Sequence, residues 1–290
     1  MRSVLVLSKY CLFLSFALAV VVSILPAYAA TNTLTPEERL VELLKIRSEA
    51  VEFRKRPPSS GYGTISGYTM GGGTGFVSLS VSSVSKASEN IDASSTVGLG
   101  FGDPYNSIGL DFYLGIISLN PETERGSFSG IGEDGAVSFK IGKIFNASND
   151  SRKSFAFALG VNHAGAWGDA TESNRNIYGV GSFRSDICIN GFVCRPYSLS
   201  LGVGSHQVNN ETDGGFVGLG LGLTSNSSFG LSYSGDQWLA GFNIVHPNNF
   251  DKLLSGDVNI SVGIQDLLDS QSSQRVAVTV SYAFKQKFFR

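Results

Sequence analysis

Three histidines, three cysteines and abundant serine are the groups in this 290-residue chain that could carry catalysis or bind a metal. His163 follows Asn162, His206 opens a polar stretch and His246 precedes Pro247. No H-x-x-x-H spacing and no Cys/His cluster accompanies them, so no metal site is expected. A serine hydrolase would need Ser, His and Asp or Asn converging in space. Serine is so common here that its presence beside histidine carries no information, and the expectation is a non-enzyme without a cofactor. The GGGTG run at residues 71–75 lacks the Lys-Ser/Thr that completes a phosphate loop. It reads as a flexible lead-in to the strand that follows.

Cys188 and Cys194, in CINGFVC, form the one pair of cysteines outside the N-terminal apolar run. An even pair in an exported chain is a disulfide candidate. Asn190-Gly191 between them is a hairpin signal, but whether the thiols meet depends on a register the sequence leaves open.

Export is read from the N-terminus. Arg2 and Lys9 precede CLFLSFALAVVVSIL, and Ala27 and Ala29 flank Tyr28. This is the pattern of a secretory signal occupying residues 1–29 and cleaved after Ala29; the competing reading is an uncleaved anchor. Removing that segment leaves 20 basic against 24 acidic residues. So mild a balance gives no reason to expect a nucleic-acid partner.

Residues 30–60 differ from all that follows. Thr35 as N-cap, Pro36 at the first helical position and Glu38 closing a capping box predict a helix start. Leu40, Leu43, Leu44, Ile46, Ala50 and Phe53 recur at roughly helical spacing up to Arg56, and Pro57-Pro58 ends the pattern. This amphipathic helix, residues 35–56, is expected either as a periplasmic arm or as a plug.

From Gly75 onward the period becomes two. Val77, Leu79 and Val81 oppose Ser78, Ser80 and Ser82; Phe155, Phe157, Leu159 and Val161 oppose Ala156, Ala158, Gly160 and Asn162. VGLGLGLT, residues 217–224, is aliphatic on one face and bare on the other. Tyr178 to Arg184 alternates less clearly and has no assigned phase. About twelve such segments follow from Gly75 onward, within a barrel domain expected over residues 61–290. A soluble sandwich would carry Lys, Glu and Thr on its second face. Here that face is Gly, Ser, Ala and Asn, and Lys143 is the one charge assigned to the apolar faces. Apolar outside and small or polar inside is the arrangement of a barrel in lipid, where the sheet must close on itself. The fold expected is all-β: an antiparallel transmembrane barrel of about 12 strands, preceded by one helix.

On this pattern residues 75–290 resemble bacterial outer-membrane β-barrel proteins. The resemblance extends to the last strand, with Val276, Val278, Val280, Tyr282 and Phe284 on one face and Phe288 in phase, although Arg290 rather than an aromatic ends the chain. It implies an outer-membrane location, contact with the lipid bilayer, insertion by the barrel-assembly machinery, and room for a homo-oligomer.

Alternation makes Asp111, Lys140, Asn162, Asn243 and Asn259 candidates for lining the lumen. Four polar stretches, NPETERGSFSGIGEDG, GDATESNRN, SHQVNNETDG and QDLLDSQSSQ, fall on the outer side if both ends of the barrel are periplasmic. HPNNFDKLLSGD would then be a long inner turn. The leading functional expectation is a pore for passive or gated passage of small solutes. The alternatives are a structural or surface-interaction barrel with a closed lumen and, third, a barrel hydrolase.

Overall fold

Strands with one apolar face and one small or polar face have two ways to satisfy their edges: stack two sheets, or close one. This chain closes one. The computed structural model describes residues 61–83, 92–116, 132–146, 153–189, 193–208, 212–248, 254–270 and 274–286, all within one compact unit, Ala50–Arg290. The expected signal segment, residues 1–29, and the expected helix, residues 35–56, lie outside the described residues.

The strands are β1 (Thr74–Ser82), β2 (Asp92–Gly102), β3 (Gly109–Ile116), β4 (Gly135–Asn146), β5 (Ser154–Trp167) and β6 (Asn176–Ile189), followed by β7 (Val193–Val208), β8 (Thr212–Gly222), β9 (Ser227–Tyr233), β10 (Trp238–Asn248), β11 (Leu254–Gln265) and β12 (Arg275–Gln286). Each pairs antiparallel with its sequence neighbours, and β1 pairs with β12 from Thr74↔Lys285 to Ser82↔Ala277, closing a 12-strand barrel. No edge is left to seek another chain.

Burial is inverted relative to a soluble protein. Leu159 is 66% and Val203 67% exposed, and Phe157, Leu201, Ile244, Val278 and Val280 share that outward face. Ser198, Ser200, Asp111 and Lys140 are buried inside. Apolar area facing out on every side is stable only against hydrocarbon. Arg195, opposite Ile187 on β7, also takes an outward position, so Lys143 is not the sole charge there.

The bare inner face is filled from next door. A Cβ on Gly98 would lie 2.2 Å from the ring of Phe76, on Gly160 2.3 Å from that of Tyr178, and on Gly202 2.1 Å from that of Phe216. Each inward aromatic lies flat over the glycine of its partner strand, which is why that glycine has no side chain. Tyr178, Val180, Ala158 and Phe216 cluster in this way. The unphased stretch resolves too: Tyr178, Val180, Ser182 and Arg184 pair with the inward residues Gly160, Ala158, Ala156 and Ser154. Here the aromatic faces in and Gly179 and Gly181 face out, the reverse of most strands.

Antiparallel order puts the start of β1 and the end of β12 on one rim. Connections at that rim span residues 103–108, 147–153, 190–192, 223–226 and 249–253; those at the other span 83–91, 117–134, 168–175, 209–211, 234–237 and 266–274. The four polar stretches share this second rim. The expected long turn at 246–257 does not occur, because β10 continues to Asn248 and β11 begins at Leu254. Pro247 is accommodated within a strand end, which apolar periodicity alone does not reveal.

Two histidines serve the wall. His163 (φ 53°) sits beside the register shift between β4 and β5, and His206 (φ 52°) within the one between β7 and β8. Left-handed backbone of this kind belongs to bulges. His246 is exposed on β10.

Replacing Gly202 with Ala drives a methyl into the Phe216 ring and lowers stability by about 1–3 kcal/mol. Gly215→Ala, whose Cβ would meet nothing closer than 3.6 Å, stays within about 0.5 kcal/mol. Urea unfolding of refolded protein in micelles, read by heat-dependent gel migration, compares them; equal midpoints would reject the ring-on-glycine account.

Candidate functional site

The interior of the barrel is occupied by the chain's own residues 61–73, which run from the β8–β11 wall to the β2–β4 wall. Gly61 lies against Gly218, and the Tyr62 ring is so close that a Cβ on Gly241 or on Gly263 would stand 2.4 Å from it. Ile65 packs on the Ala158, Tyr178, Val180 and Phe216 cluster. Gly67 passes over Ala156 and Val180 with no room for a side chain, as its Cβ would meet the Ala156 carbonyl oxygen at 2.6 Å. Met70 lies over Gly100, and the Gly72 N–H donates to the Gly102 carbonyl at 2.7 Å. The lead-in at residues 71–75 is therefore tied to the wall: Gly73 takes a left-handed turn (φ 77°) and Thr74 N–H donates to Gly71.

Wall side chains hold this segment by its main chain. Asp111 and Lys140 are cross-strand partners on β3 and β4, with Nζ to Oδ2 at 3.1 Å and both side chains buried. Asp111 Oδ1 accepts the Met70 N–H at 2.8 Å, and Oδ2 accepts the Tyr113 hydroxyl at 2.8 Å. Lys140 Nζ donates to the carbonyls of Tyr68 at 2.8 Å and Ser66 at 3.3 Å. The ammonium's three hydrogens thus have three acceptors, one on the wall and two on the segment. Residues 66, 68 and 70 present these groups at a period of two, as an extended strand must. A buried charge is tolerated only with a partner and saturated hydrogen bonds, and this pair has both.

Serine does the rest. The Gly67 N–H donates to Ser182 Oγ at 2.9 Å, which in turn contacts Ser200 Oγ at 2.7 Å. Ser232 Oγ donates to the Tyr62 carbonyl. Tyr68 donates to the Ser154 carbonyl at 2.9 Å, and the Arg184 guanidinium lies 4.1 Å over its ring.

The five lumen candidates divide. Asp111 and Lys140 meet at the segment. Asn162 pairs with Asn176 on β6. Asn243 is buried opposite Ser228 and Ser261, while Asn259 lies opposite Val245 and Ser281 with its Oδ1 buried and unmatched. Asn243 and Asn259 are diagonal neighbours on β10 and β11, whereas Asn162 stands on β5. Cys188 and Cys194 are direct partners in register and are bonded. Among the described residues no group of three His, Cys, Asp or Glu is placed to hold a metal. Sequence reasoning missed Ser66, Tyr68 and Met70 as binding positions, together with Ser182, Ser232 and Arg184. The available signal was glycine at 61, 63 and 67 in a stretch too polar to be a strand.

A closed antiparallel sheet with apolar residues outside and polar residues inside defines an outer-membrane-type β-barrel in contact with a lipid bilayer. No protein-family model and no curated protein matches the sequence. Among solved structures, the KdgM porin matches at a TM-score of 0.44 and 11% identity, over 72% of this chain and 98% of that one. An outer membrane channel from Pseudomonas putida F1 matches at 0.47 and 9%, over 79% and 98%. Outer membrane phospholipase A from Escherichia coli matches at 0.40 and 10%, over 83% and 98%. The class of this molecule rests on its own strand pairing and burial, not on these likenesses.

Lys140→Met leaves the Asp111 carboxylate buried without its cation and is expected to lower stability by about 3–5 kcal/mol. Adding Asp111→Asn removes the stranded charge while keeping an acceptor for Met70, and should restore most of the loss. A double-mutant cycle by urea unfolding measures the coupling; additive effects would show that the two charges do not act as a pair.

Proposed function

We propose that this protein is a channel of the bacterial outer membrane whose lumen is closed by its own residues 61–73, so that small solutes pass only when that segment moves. The observation that carries the reading is the way the segment is fastened. Its anchors are the Lys140–Asp111 pair and the serines 182 and 232, all acting on main-chain groups. Water can replace each such bond; those to the serines contribute about 0.5–1.5 kcal/mol net and those to the two charged groups about 1.5–3 kcal/mol. With the segment withdrawn, Asp111, Lys140, Asn162, Asn243 and Asn259 would line a hydrated passage. Because Asp111 and Lys140 neutralise one another, the passage would discriminate weakly between ions.

A closed structural barrel is the second reading. It is favoured by the seat of Tyr62 against Gly241 and Gly263 and by the apolar packing of Ile65. Delivery by a cleaved signal at residues 1–29, insertion by the barrel-assembly machinery and assembly into a homo-oligomer belong to the proposal for either function, as does the absence of a catalytic role.

Single-channel recording in planar bilayers separates the two. The mature chain is expected to stay closed with brief openings, and the chain lacking residues 30–73 to conduct in steady steps. In the full-length chain, Ser182→Ala with Ser232→Ala should raise the opening frequency several-fold. Silence from all three, with insertion shown by heat-dependent migration, would sink the channel and leave the closed barrel.

A further inference from the structure

On the outer wall, β6 turns two glycines toward the lipid. Gly179 faces Leu159 on β5 and Val203 on β7; Gly181 faces Phe157 and Leu201 in the same way. The result is a groove of about 730 Å³ with a glycine floor and apolar walls, reaching Ile108, Ile141 and Lys143 on the β4 side. Its walls are among the most exposed side chains of the barrel: Phe157 at 60%, Leu159 at 66% and Val203 at 67%. The inward glycines 98, 160, 202, 241 and 263 are covered by neighbouring rings. At these two, an added Cβ would meet nothing closer than Leu159 Cδ2 at 3.4 Å and Phe157 Cε1 at 3.2 Å, respectively.

Lys143 gives the groove a polar end. It lies directly opposite Phe157 in the β4–β5 register. Its ammonium has the Phe145 ring 5.8 Å away and no hydrogen-bond or carboxylate partner among the described residues. Around it stands a belt of rings toward the rim of short turns: Phe145 with Phe157 at 6.3 Å, Phe155 with Phe183 at 4.7 Å, and Phe183 with Tyr197 at 5.8 Å. Such belts lie at the depth of lipid headgroups. A cation at that depth, with no anion of its own chain, is placed to meet a phosphate.

We propose that this groove binds one anionic glycerophospholipid, with an acyl chain lying along β6 over Gly179 and Gly181 and the headgroup phosphate on Lys143. The site is independent of the luminal segment and stands whether or not the barrel conducts. Hydrocarbon covers every outward face, but a recess with a cation at headgroup depth favours one lipid molecule over the bulk. The charge makes that molecule anionic.

The test is native mass spectrometry of the full mature chain, released from micelles to which phosphatidylglycerol or phosphatidylethanolamine has been added. One phosphatidylglycerol retained per barrel, in preference to phosphatidylethanolamine, is the expected result. Lys143→Ala should weaken its retention about fivefold and abolish the preference, while Lys143→Arg keeps it. Gly181→Leu fills the groove from the outside and should remove bound lipid of either kind, with heat-dependent migration showing an intact barrel. Equal retention of the two lipids, unaffected by any variant, would mean ordinary surrounding lipid and would overturn the site. So would a dimer of the unaltered chain that Gly181→Leu dissolves, since the groove would then seat a second copy.

Discussion

Lipid accepts no hydrogen bonds, and this one constraint shapes the rest of the molecule. Every backbone N–H and C=O in the wall must find its partner in the wall, so the sheet closes through β1 and β12. Closure creates an inside, and an inside lined by serine and glycine must hold either water or protein. Part of it is filled by the wall, as Phe76, Tyr178 and Phe216 cover glycines on adjacent strands. Residues 61–73 cross the space that is left and bond to the wall on both sides. The luminal segment and the small-residue inner face are therefore two halves of one solution: the segment approaches the wall this closely where one partner or the other lacks a side chain, as Gly67 does over Ala156 and as Gly100 does under Met70.

The buried Asp111–Lys140 pair sits where those halves join. Two charges brought into an interior of low polarity are paid for only if every lone pair and proton is matched. The wall alone matches half of them, through the pair itself and the Tyr113 hydroxyl; the carbonyls of Ser66 and Tyr68 and the N–H of Met70 match the rest. Removing the segment without admitting water would strand both charges. The pair thus couples the position of the segment to the hydration of the lumen, which a purely apolar plug would not do.

How much of this is legible in the sequence depends on the length of chain between the partners. Cys188 and Cys194 flank a hairpin signal and so are candidates for a bond. A two-residue Asn190-Gly191 turn would set Cys188 opposite Val193, however; the cysteines meet because Ile189 pairs with Val193, one residue out from that register. Asp111 and Lys140 can each be assigned to the inner face by alternation. Their meeting cannot be read, because β3 and β4 are joined through residues 117–134 and so long a connection leaves register free. The luminal segment is less legible still. Its bonds reach 115 residues to Ser182 and 170 residues to Ser232, and no local period announces contacts at such separations. The places of His163 and His206 are illegible for a different reason. Both are residues of reactive type placed where the backbone needs a left-handed conformation, and bulges leave little trace in apolar periodicity.

The stretch that resisted phasing, Tyr178 to Arg184, is also the one where the two faces exchange roles. Its inner side carries Tyr178, Val180 and Arg184, which pack on the luminal segment and its supports; its outer side carries Gly179 and Gly181. A strand under demand from one side only would settle into the common pattern of aliphatic residues outside and small residues inside. On β6 the bulk needed to support Ile65 and Tyr68 is placed inside. That demand alone leaves the outward positions free to be large, as Phe183 and Ile177 are on the same strand. Two glycines between them, flanked by Phe157, Leu159, Leu201 and Val203, are therefore not a by-product of the inner packing. Single glycines face outward elsewhere, at Gly75, Gly215 and Gly256, but β6 sets two in succession on its outer face, and it is that succession which opens a recess long enough for an acyl chain.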